Sequence, residues 1–403
     1  MHSGGADPVS RTAVIVSTAR TPLTKAGRGE FNITPGPTLA SFAVRAAIER
    51  AGVEGGAIDD LVLGCGYPEG HSGRNIARQT AIRAGLPASV PGVTVSRFCA
   101  SGLQAIAQAA AHIVMDGANV VVAGGVESIS GITTRSDPTY GTDPWIREHK
   151  PDLYMAMIDT ADVVARRYGI RREAQDRFSV ESQRRTAEAQ QAGRYREEIV
   201  ACTTTMALRD KKTKAMIGQT EVTIDHDTCN RPDTTFEALA KLPPVKGPDQ
   251  FITAGNASQL SDGASACVLM EAGEASRRGL EPLGAFRGFA VAGCEPDEMG
   301  IGPIYAVPKL LQRNGLKLDD IDLWELNEAF ASQSLYCIDQ LHLPIERLNV
   351  DGGAISIGHP FGMTGARLVG HLLIEGRRRK IKRAVATMCV AGGMGAAGLL
   401  EIY

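Results

Sequence analysis

Four short segments hold residue types that acyl transfer needs. In "VSRFCASGLQAIAQAA" (95–110), Cys99 follows a short β-branched run and precedes an apolar pattern at helical spacing, carried by Leu103, Ile106, Ala110, Ile113 and Val114. At a helix N-terminus the free amides and the macrodipole favour a thiolate, so a lowered pKa is expected for Cys99. In "GGAISIGHPFGMTGAR" (352–367), His359 stands before Pro360 among five glycines, a backbone suited to close approach by a ligand. In "TMCVAGGMGAAG" (387–398), an apolar strand ends at Cys389 and turns through glycines, which leaves the N–H groups of Val390 and Ala391 to face a cavity. In "WELNEAFA" (324–331), Asn327 and Glu328 interrupt an apolar segment at a strand end.

Taken singly, each has an ordinary structural explanation. Cys99 and Cys389 read as small buried hydrophobes, His359 as a satisfied core histidine and Asn327 as a helix N-cap. Taken together they are a cysteine nucleophile, a histidine to accept its proton, a second cysteine and an amide. Those are the parts for acyl transfer through a thioester. Glycoside or phosphoryl chemistry would use none of them in this way.

The elements that must position them alternate between short apolar strands and helical patterns, the rhythm of an α/β protein. The rhythm repeats. "AAIERAGVEGGAIDDLVLGCG" (46–66) matches "KLLQRNGLKLDDIDLWELNEA" (309–329), and the Cys99 helix matches "GMTGARLVGHLLIEGRRRKIKRAVATMCV", with Ser101-Gly102 falling on Thr364-Gly365. Two similar halves are expected, 1–125 plus 251–280 and 281–403. Between them lies an inserted loop domain, 126–250, richer in Arg, Lys, Asp and Thr. Reactive turns from corresponding places would then meet strand end to strand end.

The whole chain narrows the alternatives. Its 403 residues can bury a large core, and 43% hydrophobic with 22% charged residues fits a globular protein. A net charge of −2 leaves no electrostatic footprint for nucleic acid. No apolar run is read as reaching the roughly 20 residues of a membrane span. The eight cysteines are scattered with no CxxC pair, against a zinc ribbon or a disulfide scaffold. No signal peptide is legible in the first residues, so a reduced, cytoplasmic enzyme without a metal is expected.

At these residues the chain resembles the thiolase family over essentially its whole length. "FCASGLQAI", "AGGVESIS", "NEAFA", "GGAISIGHPFGMTGAR" and "CVAGGMG" occur in family order. The resemblance implies two βαβαβαββ halves in a layered α/β sandwich, with the loop domain covering a coenzyme A site and assembly as a homodimer or homotetramer. It implies an acyltransferase of fatty acid metabolism that cleaves a 3-ketoacyl-CoA with coenzyme A, or runs the reverse Claisen condensation. Coenzyme A is then a substrate, and no cofactor is implied. By the same resemblance Cys99 attacks the carbonyl, His359 is its base, and Cys389 exchanges the proton of the acetyl-CoA enolate. Asn327, through a water, and His359 hold the enolate oxygen, while the N–H groups of Cys99 and Ala391 hold the tetrahedral oxyanion. For coenzyme A it points to Arg231 and Ser258, with Met157, Met299 and Phe330 lining the channel. The run "KKTK" (211–214) would add attraction for the nucleotide if it were not a solvated loop.

Two departures bear on substrate. Ala156 stands where short-chain members of the family usually carry histidine, and Lys246 where they often carry an aromatic residue. Three rivals stay in view: a silent acyl-CoA-binding relative, a decarboxylating ketoacyl synthase-like enzyme, and a metal site built on Cys-His-Cys. The first predicts loss of a catalytic residue, the second two histidines, the third a fourth ligand.

Overall fold

The computed structural model describes residues 11–132, 141–210, 212–213 and 215–403. Lys211 and Lys214 of "KKTK" lie outside these residues. The first half runs β1 (Ala13–Arg20), α1 (Gly36–Ala51), β2 (Asp60–Cys65), α2 (Ile76–Arg83), β3 (Val93–Val95), α3 (Ser101–Met115) and β4 (Val120–Ser128). An intervening region holds α4 (Met157–Arg167), α5 (Arg172–Gln191) and the hairpin β5 (Cys202–Arg209) and β6 (Met216–Ile224). The chain then supplies β7 (Ser261–Glu271) to the first half. The second half runs β8 (Gly284–Gly293), α6 (Pro303–Arg313), β9 (Leu323–Leu326), α7 (Ala331–Leu341), α8 (Phe361–Arg379), β10 (Arg383–Val390) and β11 (Met394–Ile402).

The repeat is explicit in the strand order. The first half reads β1-β7-β4-β2-β3 and the second β8-β11-β10-β9, with Leu348 bridging to Trp324 where β3 stands in the first. The parallel strands are apolar on both faces, as β4 shows with all nine residues buried, because helices cover both sides. The halves join where β1 meets β8 at Val14–Ala285 and Ile15–Gly284. β4 continues past the expected boundary at 125 to Ser128, because its ladder with β7 extends to Ser128–Asp262.

The two equivalent helices α3 and α8 cross between the layers. Glycines make the crossing possible: a Cβ on Gly365 would sit 2.5 Å from the Leu103 amide nitrogen, and one on Gly102 2.7 Å from the Gly362 carbonyl. Since Cys99 and His359 each stand two residues before these helices begin, the crossing draws the two turns toward each other. The α3 region also corrects the reading of apolar runs. Phe98–Met115 averages a hydropathy of 1.3 over 18 residues, enough by length and composition to cross a bilayer, yet half of the window is buried in the fold. Its Leu103, Ile106 and Ile113 are wholly buried in a core shared with Leu368, Val369 and Leu372 of α8.

A buried ionic cluster ties the intervening region to both halves. Arg20 of β1 bonds Glu198 at 2.8 Å and Asp227 at 2.7 and 2.9 Å. His371 of α8 meets Glu198 through Nδ1 at 2.5 Å and lies 3.5 Å from Asp351 and 3.9 Å from Glu325 through Nε2. Against the cost of burial, these carboxylates raise the His371 pKa to about 9. Burial raises Glu325 to about 7. Both groups therefore hold protons more tightly folded than unfolded, and His371's contribution is complete below its ordinary 6.5 and lost as pH rises through 9. The urea midpoint is expected to fall between pH 7 and 9, by on the order of 3 kcal/mol of stability. A flat midpoint across that range would contradict the protonated cluster.

Candidate active site

Cys99 lies in a short 3₁₀ turn, Phe98–Ala100, between β3 and α3. Phe98 adopts φ +43°, a left-handed conformation uncommon for an aromatic residue. Ser101 locks the turn by donating to the Phe98 carbonyl at 2.6 Å and accepting from the Arg97 amide at 2.9 Å. The turn sits tightly on β2, where a Cβ on Gly64 would overlap the Ser101 carbonyl carbon at 2.2 Å. The sharp bend sets Cys99 against β10 of the second half, where the Ala391 amide offsets part of its desolvation.

The expected lowering of the Cys99 pKa does not occur. Cys99 keeps part of its surface exposed, yet desolvation by the protein packed around it pushes its pKa up, to about 12, against the opposing effect of the Ala391 and Cys99 amides. Cys99 precedes the first helical residue by two, and desolvation of a thiolate outweighs the partial charge of the helix terminus. Nearby Glu127 adds to the rise. The resting nucleophile is a thiol.

His359, two residues before α8, is buried. Burial, reinforced by the neighbouring Arg367 cation, lowers its pKa to about 3, so the ring is neutral. Nδ1 lies 2.7 Å from the Thr364 hydroxyl and Nε2 3.3 Å from the Asn327 amide nitrogen. Backbone bonds hold the residue on both sides: the His359 amide donates to Gln259 at 2.8 Å, and Gly358 takes φ +117°, open only to glycine. The Asn327 amide donates to Thr387 at 2.9 Å, beside the end of β10 that carries Cys389. Asn327 is no N-cap, because α7 starts at Ala331 with Phe330 at the cap position. Its Oδ1 is buried and has no partner among the described residues.

Cys389 is 1% exposed at the end of β10, and burial together with nearby Cys99 holds its thiol well above 9. It forms a small apolar cluster with Met299 and Ala329, against which Met157 and Phe330 pack. Val390 remains in the β10–β11 ladder, paired with Met394, and Ala391 is the residue whose amide favours the Cys99 thiolate. The structure thus places Cys99 and Ala391 against the strand that carries Cys389, and His359 beside Asn327, with Met157, Met299 and Phe330 packed about Cys389. Ser258 is held beside it, its amide on the Ala329 carbonyl at 2.9 Å. Arg231 is exposed near Lys25; its amide donates to Gln183 at 2.8 Å and its carbonyl accepts from the Thr234 hydroxyl at 2.8 Å. Among the described residues no group of three or more His, Cys, Asp or Glu side chains is spaced to hold a metal ion.

Two supporting residues escaped the sequence reading. Glu127 accepts from the amides of Gly66 and Gly362 at 2.8 Å and from Tyr67 at 3.2 Å, clamping the start of α8 to the first half. Burial raises it to about 7, although these amides pull the other way. The acid within "AGGVES" was its only signal. Thr364 was aligned with Ser101 but not linked to His359, though its place one helical turn beyond it was visible. Glu328, noted beside Asn327, accepts from Ser182 at 2.7 Å and Asn349 at 3.0 Å and joins α5 to the second half.

Residues 13–273 match the thiolase N-terminal domain family and 280–402 the thiolase C-terminal domain family. A 3-ketoacyl-CoA thiolase of Bacillus subtilis (strain 168) is 44% identical, covering 97% of this chain and all of the relative. The β-ketoadipyl-CoA thiolase of Pseudomonas aeruginosa is 42% identical, over 98% of this chain and all of its own length. A crystal structure of Bacillus anthracis acetyl-CoA acetyltransferase superposes with a TM-score of 0.87 at 35% identity, covering 98% and 99% of the two chains. Human mitochondrial 3-ketoacyl-CoA thiolase in complex with CoA superposes at 0.85, with 34% identity over 98% and 99%. The chain belongs to the thiolase family. It is, accordingly, an acyltransferase, with a thiolase fold and thiolase activity.

Proposed function

We propose that the protein cleaves 3-ketoacyl-CoAs by coenzyme A-dependent thiolysis through a thioester on Cys99. The observation that carries this is the packing of the Cys99 turn against β10, the strand that ends at Cys389, which sets the two thiols close enough for Cys99 to raise the pKa of Cys389. Cys99 attacks C3 of the substrate as His359 Nε2 takes its proton. The N–H groups of Cys99 and Ala391 receive the oxyanion, each such donor being worth about 3–4 kcal/mol. The C2–C3 bond then breaks, its electron pair forms the acetyl-CoA enolate, and Cys389 protonates C2. Asn327, with a water on its unpartnered side, and His359 support the enolate oxygen. The proton held on His359 passes to the Cys389 thiolate. The incoming coenzyme A thiol then gives its own proton to His359 as it attacks the thioester, and Cys99 leaves with that proton. Reversed, the same steps are a Claisen condensation.

Coenzyme A lies, in this reading, along Met157, Met299 and Phe330 with Ser258 at the pantetheine and Arg231 at the phosphates. The planar, multi-donor guanidinium of Arg231 suits phosphate. Lys246 is 3.4 Å from Asp159 on α4, and the exposed Ala156, with no side chain beyond Cβ, leaves room at the start of that helix. That room supports acyl chains longer than acetoacetyl. A working homodimer or homotetramer is supported by the partly exposed edge strand β3, and a reducing compartment such as the cytoplasm by eight free cysteines.

The test is coenzyme A-dependent thiolysis across 3-ketoacyl-CoAs of increasing length, with one ω-carboxylated member and Cys99→Ala as control. Turnover that rises beyond the four-carbon substrate is expected. Activity confined to acetoacetyl-CoA would overturn the longer-chain reading, and no turnover of any member would overturn the reaction.

A further inference from the structure

His359 must present an unprotonated Nε2 if it is to accept a proton from Cys99, and a neutral imidazole holds its single hydrogen on either nitrogen. Something has to choose. Both His359 and Thr364 are almost completely buried, at 2% and 1% exposure, so bulk water does not make the choice. The Thr364 hydroxyl, 2.7 Å from Nδ1, has one hydrogen and two acceptors within reach. One is Nδ1 itself. The other is the Pro360 carbonyl, 2.9 Å away, one turn back along α8.

The far side of the ring separates the two polarities. Nε2 faces the amide nitrogen of Asn327 at 3.3 Å, and an N–H donor is satisfied there only by a lone pair. With Nε2 unprotonated, the chain of bonds runs in one direction: Asn327 donates to Nε2, Nδ1–H donates to Thr364, and Thr364 donates to Pro360. A single acceptor, Asn327 Oδ1, is then left without a protein partner. The opposite polarity needs the Asn327 amide turned over, which strands a buried NH₂ in place of one carbonyl oxygen. Buried unpaired donors are tolerated less readily than under-satisfied carbonyls.

We propose that Thr364 is a positioning residue that fixes His359 in the Nδ1–H tautomer and so keeps Nε2 unprotonated, its lone pair resting on the Asn327 amide until it takes the proton of Cys99. The inference rests on the thiolysis reading only for its catalytic consequence; the tautomer is a property of the resting protein. Without the hydroxyl, Nδ1–H would be a buried donor with no partner. The ring would shift its hydrogen to Nε2, where a turned Asn327 could accept it, and the base would be lost.

The experiment combines ¹⁵N-histidine NMR of the full-length protein, with His359 assigned by difference against His359→Gln, and kinetics of Thr364→Val and Thr364→Ser. The wild-type spectrum is expected to show a protonated Nδ1 and a bare Nε2. Thr364→Val should lower kcat by about 10- to 100-fold with KM within about two-fold, slow iodoacetamide alkylation of Cys99 in parallel, and move the His359 resonances toward the other tautomer. Thr364→Ser, which restores the hydroxyl, should recover most of the rate and the wild-type tautomer. An Nε2–H tautomer in the wild type would overturn the proposal, and so would Thr364→Val turning over at the wild-type rate or Thr364→Ser impaired as severely as Thr364→Val. Should the valine variant not fold, the wild-type spectrum still decides where the hydrogen lies. A wild type with the expected spectrum and no thiolysis would instead defeat the functional reading and leave the tautomer assignment standing.

Discussion

Cys389→Ala should lose thiolysis of 3-ketoacyl-CoAs by about 10³-fold or more while still accepting an acyl group onto Cys99 from a simple acyl-CoA. The two halves of this prediction separate the two thiols. Transfer onto Cys99 needs a nucleophile, a base and an oxyanion hole, and none of these is the Cys389 side chain. Breaking the C2–C3 bond in addition needs a proton for the enolate carbon, and Cys389 is built to hold one. At 1% exposure, beside Cys99 and among Met299 and Ala329, its thiol stays protonated far above neutral pH. Removing its sulfur deletes few packing contacts beyond one buried atom, so folding should survive and the loss should be chemical. Radiolabel exchange between coenzyme A and an acyl-CoA, compared with thiolysis in the same preparation, makes the measurement. Equal loss of both would show that the two cysteines do not divide the work, and retained thiolysis would remove Cys389 from the proton transfer.

Much of this site was legible because it is assembled from local motifs. Cys99, His359, Cys389 and Asn327 each sit in a turn whose composition is unusual by itself, and the internal repeat made it plain that such turns should meet. The strand order β1-β7-β4-β2-β3 against β8-β11-β10-β9 is that repeat in space. What stayed hidden were properties that depend on distant partners. Glu127 binds Gly362 across 235 positions of sequence, and no local pattern announces a carboxylate under a helix start. The acidity expected for Cys99 from its place before α3 differs in direction from that in the fold for the same reason. A helix terminus is visible in the sequence, whereas burial by the second half is not, and burial is the larger influence. Asn327 was assigned a capping alternative because its residue type suits a cap, but the turn continues to Phe330 before α7 begins.

That corrected acidity leads to the other large effect, at His359. With Cys99 raised to about 12 and His359 lowered to about 3, the resting pair is a neutral thiol beside a neutral imidazole, not a thiolate–imidazolium ion pair. An ion pair would react with an alkylating reagent at a rate almost independent of pH through the neutral range. A neutral thiol needs a base at the moment of attack, so His359→Ala should slow both thiolysis and Cys99 alkylation at pH 7 by about 10²–10⁴-fold. Raising the pH should recover part of the alkylation rate in that variant, because hydroxide then does what the imidazole did. In the wild type, alkylation should show no step near pH 6.5, since His359 is unprotonated throughout the range in which the protein is folded and assayed. Stopped-flow or discontinuous alkylation from pH 5.5 to 9.5 gives the profile. A titration midpoint between 6 and 7 that vanished in His359→Ala would instead place an ordinary, chargeable histidine beside the nucleophile. The buried environment around Thr364, Asn327 and Arg367 would then be more open to water than the packing of α8 against α3 allows.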